Sequence, residues 1–209
     1  MQDISEGGIS ESDGALMERW EINNRTLEYD DGTHTYLVDG IIVPSVTQLL
    51  NRKFGHKYDD VDSGVLRAAA ERGTMIHKAV EGYCKSGAFG PVPEVQDFAF
   101  LQKYYKFAVE HNELPIILDI AGDTFAGRLD LILNFDGVLA VADIKTTSTL
   151  DKDYLGHQLN LYRIGAMQSY GFDIQKVFGI HLRDGKRKLV EIPIREEEWL
   201  VKSLDIHGV

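Results

Sequence analysis

Residues 127–147 read GRLDLILNFDGVLAVADIKTT, two apolar, β-prone runs joined by Asp136-Gly137. Asp-Gly between such runs is a strong signal for a two-residue hairpin, because both central positions must adopt positive φ. With Asp136-Gly137 as the turn, Phe135 faces Val138 and each opposed pair of residue numbers sums to the same value. That register sets Asp130 across from Asp143 and Arg128 across from Lys145. Opposed Cβ atoms lie about 5 Å apart, where like charges are destabilising. Asp143 also sits inside Val-Leu-Ala-Val-Ala-Asp-Ile, an apolar run of the kind found in strands buried on both faces. A buried carboxylate needs a partner, and hard divalent cations take carboxylate oxygens. Lys145 follows Asp143 by two positions and shares its face of the strand. Two acids and a lysine on one face outline a metal-dependent hydrolytic site. An ion pair in which Lys145 only neutralises the acids would keep the same geometry without the chemistry, and Arg128 would serve that face or balance charge.

The chain has 209 residues, 44% hydrophobic and 10% aromatic, enough for one domain with a substantial core. No apolar run approaches the length of a membrane span, and the N-terminus lacks the basic and apolar regions of a secretory signal. The single cysteine, Cys84, excludes an intramolecular disulfide and a four-cysteine zinc or iron–sulfur site. These features point to a reducing cytoplasm and no membrane partner. The net charge is −11. Residues 1–31 hold nine acids and two arginines, a net of −7, which leaves −4 for the remaining 178. Residues 1–16, rich in Gly, Ser and acids, read as a flexible acidic arm, and 17–209 as a single domain.

Along the chain, Thr26–Asp30, His34–Asp39 and Ile41–Val43 are β-prone, with Asp31-Gly32 and Asp39-Gly40 as turns, so a small meander is expected. Ser45 is the expected N-cap of a helix over VTQLLNRKF. Helices are expected over 61–84, with Gly73 as an interruption, and over 94–111, with Phe98, Leu101, Tyr105 and Val109 at helical spacing. Strands follow at 115–120, 124–134 and 138–146, then a helix at 154–170, strands at 175–183 and 188–193, and a closing helix at 196–207. This order gives an α/β core with a central mixed sheet flanked by helices and a helix crossing over.

Two further pairs lie four apart on expected helices and so share a face: His77 with Glu81, and Gln158 with Tyr162. A lone helical histidine is more often structural than a ligand, and the second helix is by default a packing helix with a polar edge. The basic group Arg183, Lys186, Arg187 and Lys188 reads as a solvated hairpin tip or a contact for a nucleic-acid backbone.

Taken together, four blocks resemble the PD-(D/E)xK nuclease superfamily and, within it, the RecB-like and phage-type exonuclease group. Residues 72–81, RGTMIHKAVE, resemble its histidine motif, and 127–130, GRLD, its first acidic motif. Residues 143–145, DIK, match D/E-x-K, and 158–162, QLNLY, match Q-x-x-x-Y. The resemblance implies a restriction-endonuclease-like core. It implies His77, Asp130 and Asp143 as metal ligands, with the backbone carbonyl of Ile144 as a fourth, and Asp130, Asp143 and Lys145 as the catalytic set. Glu81, Gln158, Tyr162 and Arg128 would support the site or touch DNA. The implied cofactor is Mg²⁺ or Mn²⁺, with no iron–sulfur cluster. The implied activity is hydrolysis of linear duplex or single-stranded DNA by an exonuclease of phage or prophage recombination, in a bacterial or phage-infected cell, alongside a recombination or single-strand-binding protein. A single-strand or structure-specific endonuclease, a non-catalytic nucleic-acid-binding subunit, and a metal hydrolase of small substrates are the other readings.

Overall fold

The computed structural model describes residues 8–12 and 15–206. Five strands, β1 (Gly8–Ser12), β2 (Ala15–Ile22), β3 (Arg25–Asp30), β4 (Thr35–Val38) and β5 (Ile41–Val43), form an antiparallel meander in chain order. The expected arm therefore holds a strand at 8–12 and the start of another at 15, and the rest of it lies outside the described residues. After the meander come α1 (Val46–Phe54), a 3₁₀ turn, α2 (Ser63–Ser86) and α3 (Pro93–Tyr105). Strands β6 (Ala108–Ile120), β7 (Asp123–Phe135) and β8 (Val138–Lys145) lead into α4 (Lys152–Tyr170). Strands β9 (Ile174–Arg183) and β10 (Lys186–Ile192) and helix α5 (Glu197–Leu204) complete the fold. His207, the expected end of the last helix, lies outside the described residues.

The second sheet runs β10-β9-β8-β7-β6. All its pairings are antiparallel except β8 with β9, the strands that α4 connects as a crossover. The architecture is thus mixed α/β: an antiparallel meander and a five-stranded mixed sheet packed with helices. Residues from α1, α4 and α5 form one buried layer with Ile116, Leu118, Ile132 and Val141. Residues Ile76 and Val80 of α2 and Val95, Phe98 and Leu101 of α3 form the other, against Leu131, Leu133, Ala140, Ala142 and Ile180. The sheet is buried on both faces, which explains the nearly unbroken apolar runs in β7 and β8.

Local signals place most boundaries. Ser45 accepts from the Gln48 amide while the Gln48 side chain accepts from the Ser45 amide, a full capping box. Asp136 and Gly137 have φ of 53° and 93°, the double positive φ that closes a two-residue hairpin. Two expectations fail. Helix α2 is continuous through Gly73, since one glycine costs a helix only about 1 kcal/mol and burial of Ile76 and Val80 outweighs that. The helix expected to reach His111 stops at Tyr105, where Lys106 turns left-handed at φ 56°. Val109 then belongs to β6, which gains a strand-long partner in β7.

Helix α4 lies close on β6. A Cβ built on Gly165 would fall 2.4 Å from Ile116 Cδ1. Overpacking of this kind typically costs about 1–3 kcal/mol. Gly165→Val is therefore expected to lose about that much stability in urea unfolding, and adding Ile116→Ala is expected to recover part of it, a non-additivity expected only of touching residues.

Candidate metal centre

The hairpin register holds from Phe135↔Val138 to Leu131↔Ala142. The ladder ends one step before Asp130 would face Asp143. There the Ile144 amide donates to Asp130 Oδ2 at 2.7 Å, so a carboxylate oxygen has taken a backbone donor at the end of the strand pair. From that point β8 continues on its other edge, with Asp143 beside Gly179 and Lys145 beside His181 of β9.

Helix α2 brings His77 to the same place. Its Nε2 donates to the Ile144 carbonyl at 2.9 Å and its Nδ1 lies 3.4 Å from Asp130 Oδ2. Lys145 Nζ lies 2.6 Å from Asp143 Oδ2, and the Asp143 side chain is only 3% exposed. Asp130, Asp143, Lys145, His77 and the Ile144 backbone thus meet where the β7–β8 ladder ends, at the C-terminal end of β8 and midway along β7.

The other expected residues divide. Tyr162 is buried against Gly127, whose Cβ would sit 3.0 Å from the Tyr162 ring. Burial raises its phenol well above the ordinary range, and the carboxylates of Asp143 and Asp130 add to this, so it stays protonated. Gln158, one turn earlier, is buried, and its Oε1 has no hydrogen-bond partner among the described residues. Glu81 is paired with Lys85 on its own helix at 2.6 Å. Arg128 does not face Lys145: it donates to Glu18 of the meander at 2.9 Å, with its guanidinium 5.2 and 5.3 Å from the Trp20 and Tyr29 ring centroids. A cation flanked by two aromatic faces and a carboxylate is held more firmly than one set against a lysine.

The sequence reading missed Glu113. On β6, Asn112 pairs with Leu131 and Leu114 with Leu129, which sets Glu113 opposite Asp130. Its backbone is left-handed at φ 49°, a costly conformation for a non-glycine residue. His77, Glu113 and Asp130 each offer a ligand atom, all within 4.8 Å of one another. Arg72 was also missed. It donates to Glu94 Oε1 at 2.5 Å and to Thr146 O at 3.4 Å. Arg183 lies beside it rather than at a free tip, donating to the same carbonyl at 2.9 Å. The two arginines fix the loop directly after Lys145.

The electrostatics fit a divalent ion. Burial pushes Glu113 up to about 7, and Asp130 adds to it. Burial and Asp130 likewise raise Asp143, against the pull of Lys145. For Asp130, burial acts upward, but His77, Lys145 and the Ile144 amide outweigh it and hold the group below the ordinary carboxylate value. Burial alone would discharge His77. Asp130 more than reverses that, lifting the imidazole to about 9. Three carboxylates thus share two protein cations, and two of them bind protons more readily than usual.

No protein-family model matches the chain, and no curated protein matches it in sequence. Among solved structures, the chain is similar to a protein named SSO0001, at 18% identity and a TM-score of 0.48, with 78% of this chain and 73% of that one covered. It is also similar to a protein of Eubacterium rectale provisionally named an exonuclease, at 10% identity and a TM-score of 0.47, with 79% and 78% covered.

The signs of the shifts fix how metal binding depends on pH. His77 is raised, so its pairing with Asp130 stabilises the metal-free fold below its ordinary pKa of 6.5 and is lost as pH rises through about 9. A metal must displace that proton. Divalent-ion affinity is expected to rise from about pH 6 to about pH 9, with between one and two protons released per ion near neutrality, one from His77 and part of one from Glu113. Calorimetric titration in two buffers of different ionisation heat measures this, and a binding heat independent of buffer would rule out displacement at His77.

Proposed function

We propose that this chain is a metal-dependent deoxyribonuclease of the PD-(D/E)xK type that acts as an exonuclease. The observation that supports it best is the meeting of His77, Asp130, Asp143 and Lys145 at one strand end, in the roles the four motif blocks imply. Glu113 extends that set to a third carboxylate. In this reading His77, Asp130 and Glu113 hold the ion, with Asp143 and the Ile144 carbonyl beside them. A bound Mg²⁺ or Mn²⁺ supplies Lewis acidity and a water activated for attack on a phosphodiester.

The chain's own residues do the rest. Asp143 holds the Lys145 ammonium at 2.6 Å, and the surrounding carboxylates raise its pKa although burial opposes this. It therefore stays charged and stabilises negative charge developing on a phosphoryl oxygen. Tyr162, kept protonated, is a hydrogen-bond donor at the floor of the site. Arg72 and Arg183 hold the Thr146 carbonyl and with it the direction in which Lys145 leaves the strand. Metal-free carboxylates repel a phosphate at the centre itself, so cleavage there follows loading with the ion while contacts elsewhere on the chain do not need it, and an acidic chain is compatible with DNA as substrate.

The test is digestion of a linear duplex labelled at either end, beside a circular single strand, with Mg²⁺, Mn²⁺ or EDTA. Metal-dependent loss of the linear DNA alone establishes an exonuclease and its polarity, and cutting of the circle makes the chain an endonuclease of the same type. Lys145→Ala is expected to lower kcat by about 10²–10³-fold, the usual loss on removing one charge-stabilising group, while still binding the ion by calorimetry. Equal rates for this variant and the wild type would overturn the assignment.

A further inference from the structure

Helix α3 turns an aromatic face to solvent. Phe100 and Tyr104, one turn apart, are 44% and 67% exposed, and their rings stack at 5.8 Å with a 13° interplanar angle. Tyr105, 42% exposed, stands edge-on to Tyr104 at 4.9 Å. Phe98 and Leu101 are the residues of this helix that enter the core, and none of the three rings is among its buried residues. Strand β10 contributes Arg187, whose guanidinium lies 3.8 Å from the Phe100 ring centroid and donates to Asp97 at 2.9 Å. Lys103 stands between the two stacked rings in sequence and Lys106 caps the helix, both exposed, and neither has an ion-pair partner among the described residues. On a chain of net charge −11, this face carries a local positive excess.

Contiguous exposed aromatics mark a binding surface. Aromatic rings and arginine suit either a protein or a nucleic acid, but lysine is depleted in protein interfaces. Rings interleaved with unpaired lysines are what a single-stranded nucleic acid uses, the bases stacking and the cations following the backbone. The strip also leads to the candidate centre. At the first turn of α3, Glu94 accepts from Arg72, which donates to the carbonyl of Thr146, next after Lys145. From Glu94 to Tyr104 is ten residues, about 15 Å of helix.

We infer that the Phe100–Tyr104 strip of α3, with Lys103, Lys106 and Arg187, is a contact site for a single-stranded segment of nucleic acid. As the route of a strand to or from the centre, it rests on the nuclease reading. Bases stack on the free face of Tyr104, and phosphates lie against the lysines.

The experiment measures fluorescence anisotropy of a labelled oligothymidylate with the full chain in EDTA, where the proposed chemistry is silent. Tyr104→Ala is expected to weaken binding by about 5- to 150-fold, the range for one lost base–aromatic stack, and Tyr104→Phe to restore it. Lys103→Gln is expected to flatten the slope of log K against log salt by about 0.7, one phosphate contact on a single strand. Hydrolysis of bis(p-nitrophenyl) phosphate with Mn²⁺ reports the centre separately. Its absence from the wild type, with Tyr104-dependent binding intact, sinks the nuclease reading and leaves the strip standing. No binding by the wild type, or equal binding by Tyr104→Ala, overturns the strip whatever the hydrolysis, and assigns the aromatics to a protein partner.

Discussion

Asp130 Oδ2 accepts the Ile144 amide at 2.7 Å and lies 3.4 Å from His77 Nδ1, and this one oxygen organises the centre. A hairpin that kept its register would bring Asp130 and Asp143 face to face at a distance where two buried carboxylates repel strongly. Instead the strands part company one step earlier, and the carboxylate replaces a backbone partner at the point of separation. Beyond that point β8 keeps only its pairing with β9, which runs from Leu139 to Lys145 and sets Asp143 and Lys145 beside Gly179 and His181. It also opens the space that α2 fills with His77. An ordinary strand pairing would have left no such opening.

Charge balance explains the rest of the local chemistry. Asp130, Asp143 and Glu113 converge, while the protein supplies His77 and Lys145 as cations. One carboxylate is in excess, and burial together with Asp130 raises both Glu113 and Asp143. His77 meanwhile uses both ring nitrogens, one toward a carbonyl and one toward a carboxylate, an arrangement that suits the imidazolium. The metal-free site is therefore held together by a cation that a divalent ion would replace. Ligand residues that pair with each other keep a site folded and at the same time make its affinity depend on pH.

The hairpin, the capping box at Ser45 and the burial of β7 and β8 were legible because each is encoded within a few residues. Glu113 was nearly legible. Treating Ala121-Gly122 as a second two-residue turn gives the pairing Ile120↔Asp123, and carrying it back sets Glu113 opposite Asp130. The signal was weak because alanine rarely takes the left-handed conformation it adopts there, φ 55°. It was obscured further by reading the start of β6 as the end of α3, whose aromatic spacing runs on past the true cap at Lys106. The pairing of Arg128 with Lys145 failed for a different reason. Hairpin arithmetic knows nothing of the meander, and Glu18, Trp20 and Tyr29 hold Arg128 from more than ninety positions away in the chain.

That capture ties the two sheets together at the centre. Arg128 lies two residues before Asp130 on the same strand, and its charge pulls the Glu113 carboxyl downward against burial. If the meander were displaced, Arg128 would lose its carboxylate and both rings, and with them the contacts that fix its guanidinium near Glu113. The backbone hydrogen bond from Ala126 to the Pro44 carbonyl joins the end of the meander to the start of the same strand. The N-terminal sheet thus acts on the candidate centre through β7, although none of its residues is among the three that converge as ligands. An ion that bound the centre only with the meander docked would stabilise the whole assembly.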